Sequence, residues 1–71
     1  MEKLIETLSE IFEMEPLNMK PTDKFKDYEE WSSLVQLSLI AIVNENYGVT
    51  ITKGDLENIN TIQDIYDFIN K

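Results

Sequence analysis

The sequence predicts an all-α fold, a small bundle of three main helices and one short helix. Two segments carry apolar residues at helical spacing, and a third, lying between them, is apolar around its whole circumference and ends at a glycine. The one extended candidate, 49–52, is too short and unpartnered for a sheet strand. A chain of 71 residues suits one domain, 1–71, with a single simple core.

The first helix is predicted near the amino terminus and ends before Pro16, because the residue preceding a proline is disfavoured in helical geometry. Its apolar residues recur at i, i+1, i+4, i+7 and i+8, which places them on one helix face. This face consists of Leu4, Ile5, Leu8, Ile11 and Phe12.

A long connection, 15–31, follows and contains both prolines. A loop of this length in so small a domain is more often functional than idle. We expect it to be ordered, with Trp31 closing it and with three apolar anchors, Leu17, Met19 and Phe25.

The second helix is predicted from Ser33 to Tyr47 and ends at Gly48, a residue favoured just after a helix. Ser32 or Ser33 can accept a backbone N–H at its start, and Ser33 with Gln36 fits a capping box. Neither serine is a self-sufficient nucleophile, because serine needs an adjacent general base and the chain has no histidine. We therefore expect no hydrolase activity.

This second helix has more apolar residues than one face can hold. An all-round apolar helix is normally buried, yet no helix is buried on every side in a domain this small. Part of its surface is expected to meet a partner or ligand. The alternative is a central helix wrapped by its neighbours. On the helical wheel we assign a core-facing set, Leu39, Ile40, Val43 and Tyr47, and an outward set, Leu34, Leu37 and Ala41.

Two further helices complete the predicted bundle. Residues 53–58 have room for one or two helical turns. The last helix is predicted to begin at Thr61, where Thr61 and Asp64 approximate a capping box. Its apolar face consists of Ile62, Ile65, Tyr66 and Ile69.

Composition excludes several classes of function. The absence of cysteine and histidine excludes disulfides, a thiol nucleophile, a Cys/His zinc site and a histidine-containing triad. A formal charge of -8, with lysine as the only strongly basic residue type, disfavours nucleic acid and anionic membranes. We expect a basic protein surface as partner, with an attraction that weakens as salt rises. The alternative is that the acids only confer solubility.

No segment of the sequence indicates export or membrane insertion. The longest apolar run, 39–43, is far too short to span a bilayer. The initial stretch of the chain lacks the basic n-region of a signal peptide. We expect a soluble, monomeric protein of the cytoplasm.

An ordered set of short motifs resembles the acyl carrier proteins and related phosphopantetheine-binding carrier domains. Their pattern is Asp-Ser-Leu opening the second helix, a mostly aliphatic helix, an acidic-aromatic-Gly-hydrophobic ending, and a Thr-hydrophobic opening of the last helix. Residues 33–34, 46–49 and 61–62 match these motifs in order. The first helix and the loop fit in length, so the resemblance covers essentially the whole chain and implies an acyl-carrier-like bundle.

The resemblance implies a carrier and not an enzyme. A phosphopantetheinyl transferase would attach the arm of coenzyme A to Ser33, with magnesium needed only during that modification. The thiol of the arm would hold acyl or aminoacyl groups as thioesters for enzymes that load and transfer them. The family also implies docking of partners with basic or apolar surfaces through Leu34, Leu37 and Ala41.

Two departures from the family pattern keep alternatives open. Ser32 occupies the position of the family aspartate, which contributes to transferase recognition, and Glu45 is the only acid of the second helix. One alternative is a carrier-like fold that is never modified and serves as a binding or scaffold module. Another is an unrelated helical domain whose second helix docks in a partner's groove. Fatty acid, polyketide, peptide and cell-surface modification carriers all share this pattern.

Overall fold

The computed structural model describes residues 1–70 and shows the all-α bundle that the sequence predicts. Three longer helices and one short helix follow the predicted order, and no strand forms within this range. The helices are α1 Glu2–Phe12, α2 Ser33–Tyr47, α3 Lys53–Glu57 and α4 Ile62–Ile69. Two single 3-10 turns, Pro16–Asn18 and Phe25–Asp27, lie in the connection between α1 and α2.

One hydrophobic core is shared by the helices and the α1–α2 connection. The predicted apolar faces of α1 and α4 line it, and Ile51 enters it from the extended stretch after α2. The buried apolar side chains within the described range are Leu4, Leu8, Phe12, Met19, Phe25, Leu39, Val43, Ile51, Leu56, Ile59, Ile62 and Ile65.

The helix ends have identifiable chemical causes. Gly48, at φ 66, ends α2 in the left-handed region that glycine adopts without strain. The predicted box between Thr61 and Asp64 is confirmed, since each side chain bonds the backbone N–H of the other residue. The same arrangement between Thr52 and Asp55 begins α3.

The connection is ordered as predicted, but one of its three expected anchors is wrong. Met19 and Phe25 are buried, whereas Leu17 is 92% exposed. Leu17 lies within the single turn Pro16–Asn18, and Met19 takes the inward position directly after that turn. The chain enters the core only after this turn, at Met19, so the Leu17 side chain faces solvent.

Hydrogen bonds fix this connection to the start of α4. The Ile62 N–H donates to the Asp23 carbonyl oxygen at 3.2 Å, and the Gln63 N–H donates to the Pro21 carbonyl oxygen at 2.8 Å. These are the first two amides of α4, which have no acceptor within their own helix. The loop therefore satisfies the helix end that it contacts.

A carboxylate and a phenol fix the middle of the connection. Asp23 Oδ2 accepts hydrogen bonds from the Tyr28 hydroxyl at 2.7 Å and from the Lys20 N–H at 3.0 Å. The Tyr28 bond and then the Lys20 bond lower the pKa of Asp23 below its ordinary 3.8. Burial, followed by the bond to Asp23, raises the pKa of the Tyr28 hydroxyl.

We expect the Asp23–Tyr28 pair to stabilise the fold at neutral pH and to lose this contribution in acid. Because folding lowers the pKa of Asp23, the contribution is present above the unfolded value of 3.8 and is lost as pH falls through the folded value. A double-mutant cycle of Asp23→Asn and Tyr28→Phe, read by urea unfolding at neutral pH and well below pH 3.8, measures the coupling. An equal coupling at both pH values would contradict this expectation.

Candidate functional site at the start of α2

The two serines at the start of α2 have different structural roles. Ser32 is the N-cap, with extended backbone (φ -155, ψ 171), and its Oγ accepts the Val35 N–H at 3.2 Å. Ser33 is the first helical residue. The capping box predicted between Ser33 and Gln36 is therefore wrong, because the cap lies one residue earlier and Ser33 already has helical backbone.

The Ser33 side chain is exposed, and its hydroxyl forms no hydrogen bond within residues 1–70. The N–H groups of Ser33 and Leu34 also find no acceptor in that range, unlike the corresponding amides of α4, which donate to loop carbonyls. Unpaired N–H groups at the positive end of a helix dipole favour a phosphate group. The residues present therefore fit a phosphodiester on Ser33 Oγ.

A cluster of aromatic rings holds the residues that precede α2. Phe12, at the end of α1, stacks on Trp31 with ring centroids 6.0 Å apart and an interplanar angle of 26°. Tyr28 meets Phe12 edge-on at 5.4 Å, and Phe25 meets Trp31 edge-on at 5.3 Å. Such pairs each contribute roughly 0.5–1.5 kcal/mol beyond the area they bury. Trp31 thus closes the loop as expected and ties the start of α2 to α1.

The surface of α2 divides as the helical wheel predicts. The core-facing set is buried or half-buried against the core: Leu39, Val43, Ile40 and Tyr47. The outward set is exposed: Leu34 (74%), Leu37 (54%) and Ala41. An apolar stripe next to Ser33 is therefore left without a partner in the bundle.

Two clefts flank the start of α2. The acidic cleft, of about 350 Å³, lies between α1 and α2 and is lined by Ile11, Phe12, Glu13, Glu30, Leu34, Val35 and Ser38. The lysine cleft, of about 360 Å³, lies between α2 and α3 and is lined by Lys26, Trp31, Gln36, Lys53, Leu56 and Glu57. Ser33 lines neither cleft, but it directly precedes Leu34 of the acidic cleft and lies one helical turn before Gln36 of the lysine cleft. Neither cleft was predicted from the sequence.

Comparison with known proteins assigns a family to this chain. The family described as the phosphopantetheine attachment site matches residues 2–69. This chain belongs to the acyl carrier proteins and related phosphopantetheine-binding carrier domains. An acyl carrier protein of Thermosynechococcus vestitus (strain NIES-2133 / IAM M-273 / BP-1) is 30% identical over 70 residues, which cover 99% of this chain and 86% of that protein.

The carrier has covalently bound phosphopantetheine as its prosthetic group. Proteins of this family work with partner enzymes and are generally not enzymes themselves. None of the helices in residues 1–70 has the length and apolar character needed to cross a membrane. The resemblance and the fold class read from the sequence are both confirmed.

Proposed function

We propose that Ser33 is the attachment residue of the phosphopantetheine arm and that this carrier presents acyl groups to partner enzymes. The observation that carries the proposal is the unpaired, exposed Ser33 hydroxyl beside the unpaired N–H groups of Ser33 and Leu34. Ser32 is engaged as the helix cap and so leaves Ser33 available. The family assignment supports the nature of the group attached.

Each residue at the start of α2 has a part in this proposal. Ser33 Oγ holds the phosphate, and the N–H groups of Ser33 and Leu34 are donors available to it. Ser32 caps the helix by accepting the Val35 N–H. When bound, the arm supplies the thiol that the cysteine-free chain lacks, and this thiol holds acyl or aminoacyl groups as thioesters.

The outward stripe of α2, Leu34, Leu37 and Ala41, is the proposed docking surface for partner enzymes. Exposed apolar side chains grouped on one helix face are typical of interaction sites. The net charge of -8 favours enzymes with basic surfaces around that contact. These partners are the phosphopantetheinyl transferase and the enzymes that load and transfer the acyl group. We also propose that the carrier acts as one soluble, monomeric domain in the cytoplasm, without catalysis of its own.

The absence of cysteine allows a direct test of this function. The apo protein has no thiol, so a thiol that appears after modification must belong to the arm. Incubation with coenzyme A, magnesium and a phosphopantetheinyl transferase, followed by gel filtration, should give one thiol per chain. Intact mass should show one added arm, and peptide fragmentation should place it on Ser33. Protein treated without transferase is the control, and a chain that no transferase modifies would favour the scaffold alternative.

We expect Ser32→Asp to raise the modification rate with a general transferase. Aspartate caps a helix as well as serine does, and an acid near a helix N-terminus typically stabilises it by ~0.3–1 kcal/mol. The substitution also supplies the acid that the family has at this position. Ser32→Asn is the matched control, because it caps without adding charge. Initial rates by intact mass decide, and a rate at or below wild type for Ser32→Asp would contradict the expectation.

A further inference from the structure

The two clefts beside Ser33 carry opposite charge. The acidic cleft contains the carboxylates of Glu13 and Glu30 and no lysine, a formal charge of -2. The lysine cleft contains Lys26, Lys53 and Glu57, which gives two positive charges and one negative, a formal charge of +1. A partner that reaches Ser33 therefore meets a negative electrostatic potential on the α1 side of α2 and a positive one on the α3 side.

We propose that the phosphopantetheinyl transferase docks in the acidic cleft and reaches Ser33 from the α1 side of α2. This inference rests on the proposed function and adds the face of the carrier to which the transferase binds. The chemistry of the second substrate supports it. Coenzyme A carries several phosphates, so an enzyme that binds it needs basic groups around its active site. That basic surface must come close to Ser33, where Glu13 and Glu30 attract it.

The opposite cleft disfavours the same surface. The Lys26 ammonium donates to the Leu56 carbonyl oxygen and is committed to the fold. Lys53, at the start of α3, makes no hydrogen bond or ion pair through its ammonium within residues 1–70. An unpaired ammonium beside a basic enzyme surface is repulsive, and like-charge contacts exclude wrong orientations.

The acidic cleft also offers a firm apolar wall. Two of its lining residues are apolar and differ in exposure: Phe12 is buried and held by Trp31 and Tyr28, whereas Leu34 is 74% exposed. The exposed leucine fits an apolar side chain of a partner, and the carboxylates that line the same cleft fit its lysines or arginines. The occupant is therefore a surface that is both basic and apolar.

The backbone at Glu13 determines where its carboxylate leaves α1. Glu13 ends α1 with φ 55 and ψ 41, in the left-handed region that favours glycine. Within the described range, Gly48 has the same conformation without strain, and Glu13 is the only non-glycine residue there. This conformation ends α1, and the next amide, Met14 N–H, donates to the Ser9 carbonyl oxygen at 3.0 Å. The Glu13 side chain places a carboxylate on the acidic cleft.

A second copy of this chain is a poorer occupant of the acidic cleft. Each copy carries a formal charge of -8, so two copies repel each other. The chain has only six basic residues against fourteen acidic ones, so few basic groups are available to pair with the two carboxylates. The cleft is thus better suited to a cationic enzyme than to self-association.

The test is the steady-state rate at which apo protein acquires the arm, for the wild type and five variants. We expect Glu13→Gln and Glu30→Gln each to lower kcat/KM about two- to fivefold, mainly through KM. Glu57→Gln removes the same charge from the lysine cleft and should have less effect, while Lys53→Gln should raise kcat/KM. The differences should disappear near 1 M salt, where the Debye length is about 3 Å. Glu13→Gly should melt at a higher temperature than wild type and still be a poorer substrate.

Each result supports or overturns the inference. A wild-type chain that no transferase modifies overturns the proposed function and this inference together. If the wild type is modified, rates equal to the wild type for both Glu13→Gln and Glu30→Gln, or a larger loss in Glu57→Gln, overturn the docking face alone. A dimer that Glu30→Gln dissociates would assign the cleft to a second copy and would also overturn it. Melting temperatures verify folding, and Glu13 and Glu30 are both exposed, so either variant can decide if the other is lost.

Discussion

Ser33→Ala is expected to abolish attachment of phosphopantetheine, and Ser32→Ala is expected to preserve it. The two hydroxyls differ in availability, because Ser32 Oγ accepts the Val35 N–H while the Ser33 hydroxyl is unpaired within residues 1–70. Ser32→Ala removes a cap and should cost ~1 kcal/mol of stability. Ser33→Ala removes no cap and should melt close to the wild type. The two variants thus have opposite effects on modification and on stability.

Intact mass and the thiol content after incubation with coenzyme A, magnesium and transferase measure the first effect. Thermal unfolding of the apo proteins measures the second. An arm on Ser33→Ala would reassign the site to another hydroxyl. A Ser32→Ala chain that folds but stays unmodified would mean that the capping side chain itself takes part in recognition.

Leu39→Ala is expected to largely unfold the protein. Leu39 is 0% exposed in the centre of α2, and truncating such a leucine costs ~2–5 kcal/mol. At about 0.05–0.15 kcal/mol per residue, the whole domain is stabilised by only roughly 4–11 kcal/mol. One core truncation therefore removes a large share of the total. Urea unfolding and far-UV circular dichroism of the apo protein measure the loss.

Leu37→Ala is the matched control, because it makes the same chemical change two residues away on a side chain that is 54% exposed. Surface changes usually alter stability within about 0.5 kcal/mol. We expect this variant to stay folded and to bind partner enzymes more weakly. Comparable melting losses for both variants would show that Leu37 belongs to the core, and the outward docking stripe would no longer be supported.

The parts of this fold that depend on neighbours in sequence could be predicted. The spacing of apolar residues gave the buried faces of α1 and α4, and Gly48 gave the end of α2. The pair Thr61 and Asp64 gave the start of α4. These signals act over one or two helical turns, so they can be recognised in the sequence without knowing the tertiary packing.

The errors arose where packing between distant segments decides. Leu17 is an apolar loop residue two positions before the buried Met19. Its residue type alone cannot show that the turn leaves its side chain in solvent. The capping box was assigned to Ser33 because Ser32 and Ser33 are chemically identical, and only the backbone angles show that Ser32 is the cap. The clefts beside Ser33 depend on how α1 and α3 approach α2, which no local pattern records.

The division of roles between Ser32 and Ser33 has a consequence for the stability of the modified carrier. The cap hydrogen bond of Ser32 is complete before any group is attached, and the Ser33 hydroxyl gives up no hydrogen bond within residues 1–70 when it is esterified. With Ser33 as the attachment residue, we expect esterification to leave the cap of α2 intact. The arm would then be added without a loss of stability at the start of this helix.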